Sequence, residues 1–154
     1  MKHEELDLWS MVDVGHYNSS GTLFNLKLGM IEDKIQKNQK DVQQLYSELK
    51  CRYQKISARF QEMDIGSLDN RFPVNVLTEL RNEVFPQMGT NYDELDALLM
   101  NYVSDTSSAK TPILEKIEEC RGLLEKMRTL GREFGSNERY IEYRATNPSR
   151  NYLD

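Results

Sequence analysis

Few residues of this sequence have side chains suited to catalysis or metal binding. Its two histidines, His3 and His16, lie near the N-terminus, and its two cysteines, Cys51 and Cys120, lie within predicted helices. The basic residues on either side of Cys51 would favour a reactive thiolate there, but no histidine lies nearby in the sequence to act as its base. We therefore interpret Cys51 as a partly buried, unreactive thiol and both histidines as surface residues.

Motifs that bind metal ions or phosphate groups are missing from the sequence. It contains no His-Glu-x-x-His, no pair of Cys-x-x-Cys motifs, no calcium-binding loop and no Gly-x-x-x-x-Gly-Lys-Ser/Thr loop. Catalysis needs ionisable groups that are brought together in one site. We therefore predict that the protein is not an enzyme and that it uses no cofactor, metal or small-molecule substrate.

The composition indicates long helices and few turns. Of the 154 residues, 38% are hydrophobic and 29% are charged, and there are only 8 glycines and 4 prolines. A compact globular domain is usually about 45–50% apolar. A chain with fewer apolar residues and few turns forms long helices that expose their apolar stripes, and we expect other chains to cover these stripes. The predicted fold class is all-α: an elongated helical hairpin or bundle with coiled-coil character, containing one helix of about 40 residues and several shorter ones.

The charge pattern argues against two kinds of partner. The net charge is −5, and no block of like charge is long enough to hold a nucleic-acid backbone. No apolar run approaches the ~18 residues that cross a membrane, and the first residues lack the apolar centre of a signal peptide. We expect a cytoplasmic protein with reduced thiols, no direct nucleic-acid binding and no membrane insertion.

The longest predicted helix spans residues 22–64 and carries a heptad pattern. Its a positions are all hydrophobic, namely Leu28, Ile35, Val42, Leu49, Ile56 and Met63. Its d positions are hydrophobic at only two of five, in the series Ile31, Asn38, Leu45, Arg52 and Arg59, and the e positions carry Tyr46, Tyr53 and Phe60. The apolar stripe thus drifts, which is typical of a helix in a bundle rather than of a two-stranded zipper. We interpret Asn38 as a polar residue that sets the register.

The chain divides into four predicted regions. They are a short helix over residues 1–15, a linker over 16–21, the coiled-coil helical bundle over 22–135 and an irregular tail over 136–154, in which Tyr140, Ile141 and Tyr143 could add a short helix. Within the bundle, a helix over residues 74–85 is ended by Pro86 and Gly89, and Asn91 caps a second helix to residue 103. A proline at position 112 opens the last long helix, over residues 111–134.

Apolar residues of the two long helices form the predicted partner interface. They are Leu28, Ile31, Ile35, Val42, Leu45, Leu49, Ile56, Phe60, Ile117, Leu124 and Met127. Trp9, the only tryptophan, joins this set if it inserts into a partner, as tryptophan often does. The alternative is that the short helix folds back and Trp9 enters the chain's own core. Tyr46, Tyr53 and Tyr102 are expected to pack between helices with exposed hydroxyl groups.

The order of these elements also suggests a family. The sequence opens with Glu4-Glu5-Leu6-x-x-Trp9 before a glycine-containing linker, and it enters the long helix through Leu23 to Leu28-Gly29-x-Ile31. A short middle helical pair, a Ser-rich break and a last helix opened by Pro112 follow. This layout resembles the small helical shoulder subunit of dynactin. The resemblance implies a structural role in dynein-driven microtubule transport and mitosis, with a cytoskeletal association.

Two functions are therefore expected from the sequence. The first is a constitutive structural subunit that shares its apolar stripe with other coiled-coil proteins in a stable complex. The alternative is a regulatory adaptor or chaperone that binds a partner helix in a groove.

Overall fold

The computed structural model describes residues 20–146 apart from Asp69 and Thr106. All regular structure in this part of the chain is helical, which confirms the predicted all-α class for it. The helices are α1 (Ser20–Gln36), α2 (Gln43–Glu62), α3 (Val74–Glu79), α4 (Phe85–Ser104), α5 (Thr111–Ser136) and α6 (Glu138–Thr146). Short turns of 3-10 and π-helix occupy Ile65–Ser67 and Leu80–Val84. The predicted N-terminal helix with Trp9, most of the predicted linker and the last eight residues lie outside the described residues.

The predicted single helix over residues 22–64 is wrong, because the chain reverses its direction within it. α1 ends at Gln36, and α2 begins at Gln43. The heptad a positions are nevertheless buried on both sides of the reversal. This is possible because α1 and α2 pack against each other and direct their apolar faces into one core.

Asn38 produces the reversal. Its backbone φ is 59°, which lies in the left-handed region that ends many helices. The N–H of Gln39 donates to the carbonyl of Lys34 at 2.9 Å, and the N–H of Asn38 donates to the carbonyl of Ile35 at 3.1 Å. These two bonds form a Schellman motif, in which Asn38 occupies the left-handed position. Asn38 therefore terminates a helix, and its predicted role in setting a coiled-coil register is wrong.

The predicted break at Pro86 and Gly89 is also wrong. α3, the π-helical turn and α4 follow one another without a non-helical residue between them, and Asn91 lies inside α4 rather than at a cap. Proline lacks the N–H for a helical hydrogen bond, and its ring crowds the preceding turn. The wider π turn at Leu80–Val84 ends two residues before Pro86. It relieves this crowding, so that the helix continues.

The four longest helices form a closed ring. α1 contacts α2 and α5, and α4 contacts the same two helices from the other side. Ion pairs join neighbouring helices at Lys27–Glu48, Lys50–Asp93, Glu94–Lys116 and Glu32–Arg121, and Lys34–Asp41 joins α1 to the loop that follows it. The side-chain bonds from α2 to α4 pair rising with falling residue numbers, and the ion pairs across the reversal do the same for α1 and α2. These neighbours therefore run antiparallel, as in an up-and-down four-helix bundle. α4 thus covers the side of the long apolar stripe that we expected a helix of another chain to cover.

Aromatic side chains close one end of the bundle. Phe72, which precedes α3, makes edge-to-face contacts with Phe134, Tyr140 and Tyr143 at centroid distances of 6.0, 5.1 and 4.9 Å. Tyr140 and Tyr143 are buried, and both belong to α6. The region predicted as a tail thus contains the short helix Glu138–Thr146, whose two aromatic residues three positions apart form an apolar face.

Substitution of Asn38 tests the chain reversal directly. Asn38→Ala should lower the unfolding free energy by about 1 kcal/mol, because alanine is disfavoured in the left-handed conformation. Asn38→Gly should leave the unfolding free energy unchanged or raise it slightly. Equilibrium urea denaturation, followed by circular dichroism, measures both effects. In a continuous helix the order would be the opposite, because glycine is about 1 kcal/mol worse than alanine in a helix interior. An Asn38→Ala variant more stable than Asn38→Gly would contradict the reversal.

Candidate interaction surface

The predicted partner-interface residues lie in the interior of this chain's own bundle. Those that are buried are Leu28, Ile31, Ile35, Val42, Leu49, Ile56, Phe60, Ile117, Leu124 and Met127, and Leu45 is partly buried against the same core. In this fold these side chains pack into the chain's own core, and their role in an interface with another chain stays a prediction. Trp9 lies outside the described residues.

Two tyrosines of α2 bond to the backbone of the helix opposite. The hydroxyl of Tyr46 donates to the carbonyl of Tyr92, and the hydroxyl of Tyr53 donates to the carbonyl of Phe85 at 2.5 Å. Burial raises the pKa of both hydroxyls above their ordinary value, so both keep their protons and remain donors at neutral pH. The expectation of exposed hydroxyl groups is therefore wrong for these two residues.

A third tyrosine holds the chain reversal against α4. The hydroxyl of Tyr102 donates to the carbonyl of Gln39 at 2.8 Å, and the side chain itself is buried. Gln39 lies in the loop directly after the helix-ending Asn38, so this bond gives a loop carbonyl a partner and ties the loop to α4. The tyrosines of both helices thus fix the position of α4 relative to α2.

Gly89 permits one of these contacts. A Cβ atom at this position would lie 2.7 Å from the hydroxyl oxygen of Tyr53, far inside van der Waals contact. Glycine weakens a helix interior by about 1 kcal/mol relative to alanine, so a glycine within α4 needs a reason. The close approach of Tyr53 supplies it. Sequence reasoning missed this role because Gly89 follows a proline and resembles a helix break.

The groups capable of chemistry are dispersed. Cys120 is buried, and desolvation raises its pKa to about 12, so its thiol is protonated at neutral pH. Cys51 is exposed, which corrects the expectation of partial burial. No group of three or more potential metal ligands occurs among the described residues, and both histidines lie outside them. None of the described helices combines the length and hydrophobicity that crossing a membrane requires.

An exposed apolar stripe runs beside the groove between α1 and α2. Leu26 and Met30 lie one helical turn apart on α1, with 61% and 43% of their surface exposed. Met30 and the partly buried Leu45 of α2 line a surface groove of about 330 Å³, whose other walls are polar. We call Leu26, Met30, Leu45 and this groove the α1/α2 seam.

Ion pairs and basic residues surround the seam. Lys27–Glu48 and Lys34–Asp41, at 2.5 and 2.8 Å, join its two sides. Along the exposed side of α2, Arg52, Lys55 and Arg59 follow at the i, i+3, i+7 spacing of one helical face, and no acidic residue lies between positions 48 and 62. The seam therefore combines an exposed apolar stripe with a basic stripe.

Comparisons with known proteins supply no family for this bundle. The sequence matched no protein-family model, no curated protein and no solved structure. Its function has to be argued from the geometry and charge of the surface, and the layout resemblance to a dynactin subunit stays a prediction.

A double-mutant cycle tests the contact between Gly89 and Tyr53. Gly89→Ala should destabilise the wild-type chain, because the new methyl group displaces a hydroxyl whose hydrogen bond contributes about 1 kcal/mol. In a Tyr53→Phe background the same change should stabilise by up to about 1 kcal/mol through helix propensity. Urea denaturation of the four proteins gives the coupling energy.

Tyr92→Phe is the matched control for this cycle. The Tyr92 hydroxyl is buried without a hydrogen-bond partner, so its removal should leave the effect of Gly89→Ala unchanged. Additive effects of Gly89→Ala and Tyr53→Phe would show that the two residues do not meet.

Proposed function

We propose that this protein is a non-enzymatic helical adaptor that binds an acidic amphipathic helix of a partner protein in the α1/α2 seam. The observation that carries the proposal is the exposed pair Leu26 and Met30 outside a core that the chain's own helices already fill. A chain with a filled core needs no partner in order to fold. This arrangement favours an adaptor over a subunit that folds only within its assembly.

The spacing of the apolar residues supports a helical partner. Leu26 and Met30 are separated by four positions on one helix, and Leu45 lies across the groove from Met30. A short amphipathic helix that lies along such a groove presents its own i, i+3 or i+4 side chains to it. The flexible side chain of methionine adapts to differently shaped partner residues, as it does in other helix-binding grooves.

The charge of the seam determines the kind of partner helix. Arg52, Lys55 and Arg59 lie in a stretch of α2 without acidic residues. They attract a helix that carries carboxylates beside its apolar face, and they speed its association at low salt. Because exposed charges are screened within about 8–10 Å at physiological ionic strength, binding should weaken as salt is added.

We further propose the dynactin shoulder as the first assembly in which to look for this partner. The Ser-rich break before α5 and the proline that opens it are features of the dynactin-like layout that this fold retains. Two other features of that layout, the single long helix and the separate middle pair of helices, are absent from the described part of this fold. A cytoplasmic location agrees with one exposed and one buried free cysteine.

Affinity capture with surface variants tests the proposed seam. Leu26→Asp and Met30→Asp should each weaken partner capture at least about tenfold, since a desolvated, unpaired charge costs more than 1.4 kcal/mol. Proteins that the wild-type tagged chain captures are identified by mass spectrometry and then quantified for each variant. Proteins whose capture falls with Leu26→Asp and Met30→Asp are the candidate partners of the seam. Dynactin components among them would support the proposed assembly.

Met100→Asp provides the control for these variants. Met100 is 59% exposed on α4, outside the seam, so its substitution changes the same side chain on another face. Capture should remain at the wild-type level, and circular dichroism checks that every variant is folded. Equal capture by wild type, Leu26→Asp and Met30→Asp would contradict the proposed binding surface.

A further inference from the structure

We propose that residues 85–96, the N-terminal part of α4, open from the bundle as one unit while the other helices stay folded, and that this opening controls access to the buried thiol of Cys120. This inference goes beyond the proposed function and does not depend on it. The opening segment belongs to a helix that packs against α2 and α5, whereas the seam lies between α1 and α2.

The sequence of this segment is poorly suited to a helix. Residues 86–93 read Pro-Gln-Met-Gly-Thr-Asn-Tyr-Asp, and only Gln and Met among them are strong helix formers. The proline has no N–H to donate to a preceding carbonyl. α5, by contrast, is rich in Glu, Leu, Lys and Arg, which favour a helix. The segment is therefore helical because the bundle holds it, and on release it gains the conformational entropy of an unfolded chain.

Tyr92 brings a polar group into the core that the closed bundle does not satisfy. Its side chain is 1% exposed, and its hydroxyl has no hydrogen-bond partner. The ring makes edge-to-face contacts with Tyr53 and Phe24, at centroid distances of 5.1 and 6.4 Å. A buried hydroxyl without a partner has lost its bonds to water, and it regains them when the segment opens. The unpaired hydroxyl thus destabilises the closed state relative to the open one.

The segment packs loosely against α5 on one side. A surface groove of about 490 Å³ lies between the two helices there, lined by Gln87, Thr90, Asn91, Glu119, Gly122 and Leu123. A Cβ atom added at Gly122 would meet nothing from its surroundings within 4 Å. Buried side chains in a close-packed interior touch neighbours on all sides. On the side of this groove, opening of the segment therefore breaks few contacts.

The polar contacts of the segment leave it able to open. Two of its backbone carbonyls accept bonds from tyrosine hydroxyls of α2, and water can replace both partners in the open state. Asp93 pairs with Lys50 at 3.4 Å, and Glu94 pairs with Lys116 at 2.5 Å. The two carboxylate side chains are 75% and 51% exposed, so both ion pairs are screened by solvent and contribute little to stability.

The segment has structural limits at both ends. It begins directly after the π turn at Leu80–Val84, where the regular helical hydrogen bonding changes. After Asp96 the sequence continues with Ala-Leu-Leu-Met, all strong helix formers. The hydroxyl bond of Tyr102 to the carbonyl of Gln39 holds this later part of α4 to the chain reversal.

Buried apolar side chains keep the closed state dominant. Within the segment they are Phe85, Met88, Tyr92 and Leu95. Opening is therefore rare. It still requires less free energy than global unfolding, because α1, α2 and α5 keep their contacts with one another.

Cys120 of α5 lies beneath this segment. Lys116, one helical turn before it, pairs with Glu94, and its neighbour Glu119 lines the groove together with residues of α4. The thiol is 1% exposed, and burial raises its pKa to about 12. Opening removes this burial, so that the thiol can ionise and react as a thiolate. The reactivity of Cys120 therefore measures the opening.

Thiol labelling of a full-length Cys51→Ser variant tests the proposal, because Cys120 is then the only cysteine. The probe is an aromatic disulfide. The thiolate of Cys120 attacks one of its sulfur atoms, the S–S bond of the reagent breaks, and the coloured aromatic thiolate leaves. Urea denaturation gives the equilibrium constant of global unfolding, and this constant multiplied by the labelling rate of the unfolded chain is the global limit. Labelling in native buffer should exceed this limit at least about tenfold.

Two matched alanine substitutions locate the opening. Thr90 is exposed on the segment and Ser47 is exposed on α2, and alanine is the better helix former at both positions. Thr90→Ala should slow the labelling of Cys120 by up to about threefold, because it stabilises the closed segment. Ser47→Ala should raise the urea midpoint and leave the labelling rate unchanged, because α2 stays folded in the open state.

Tyr92→Phe tests the contribution of the unpaired hydroxyl. The variant closes without burying an unsatisfied polar group, so labelling of Cys120 should slow at least about fivefold.

Three results would overturn the proposal. Labelling no faster than the global limit would show that Cys120 is exposed only when the whole chain unfolds. Faster labelling that Ser47→Ala slows as much as Thr90→Ala does would show that α2 unfolds together with α4. Faster labelling that neither Thr90→Ala nor Tyr92→Phe slows would place the opening in another part of the bundle.

Discussion

The reversal of the chain between α1 and α2 is the constraint on which the rest of the fold depends. A continuous helix over residues 22–64 would present its apolar stripe along ~65 Å, a length that only other chains could cover. The left-handed backbone at Asn38 folds this stripe in half, so that its two parts face the same core. The core then needs only two further helices of similar length, and α4 and α5 of the same chain provide them.

Polar contacts at the margins of the core hold α4 in place. Tyr53 and Tyr102 each bond to a backbone carbonyl, one on α4 and the other in the reversal itself. Satisfied hydroxyl groups at buried positions favour one packing arrangement, because sliding a helix would leave them without partners at a cost of about 1–3 kcal/mol each. Gly89 and the π turn before Pro86 contribute to the same arrangement. Gly89 leaves room for the hydroxyl of Tyr53, and the π turn lets the helix continue past Pro86.

Periodicity identified which residues are buried but not which chain covers them. All six heptad a positions were assigned correctly to the buried face, since hydrophobic spacing reports the side of a helix that avoids water. Asn38 was misread because a polar residue at a d position and a helix-ending asparagine look alike in a sequence. Pro86 was misread because the π turn that accommodates it depends on neighbouring helices. Leu45 of the seam was among the predicted interface residues, but Leu26 and Met30 were missed, since they lie outside the a, d and e positions of the heptad and their exposure follows from how α1 packs.

Equilibrium unfolding at two protein concentrations tests most directly whether the chain covers its own apolar stripe. Urea denaturation of the full-length protein is followed by circular dichroism at concentrations about a hundredfold apart, and sedimentation equilibrium gives the mass under native conditions. A self-contained bundle predicts one cooperative transition with the same midpoint at both concentrations and a mass of 18.0 kDa. A midpoint that rises with concentration, together with a dimeric or larger mass, would contradict the account.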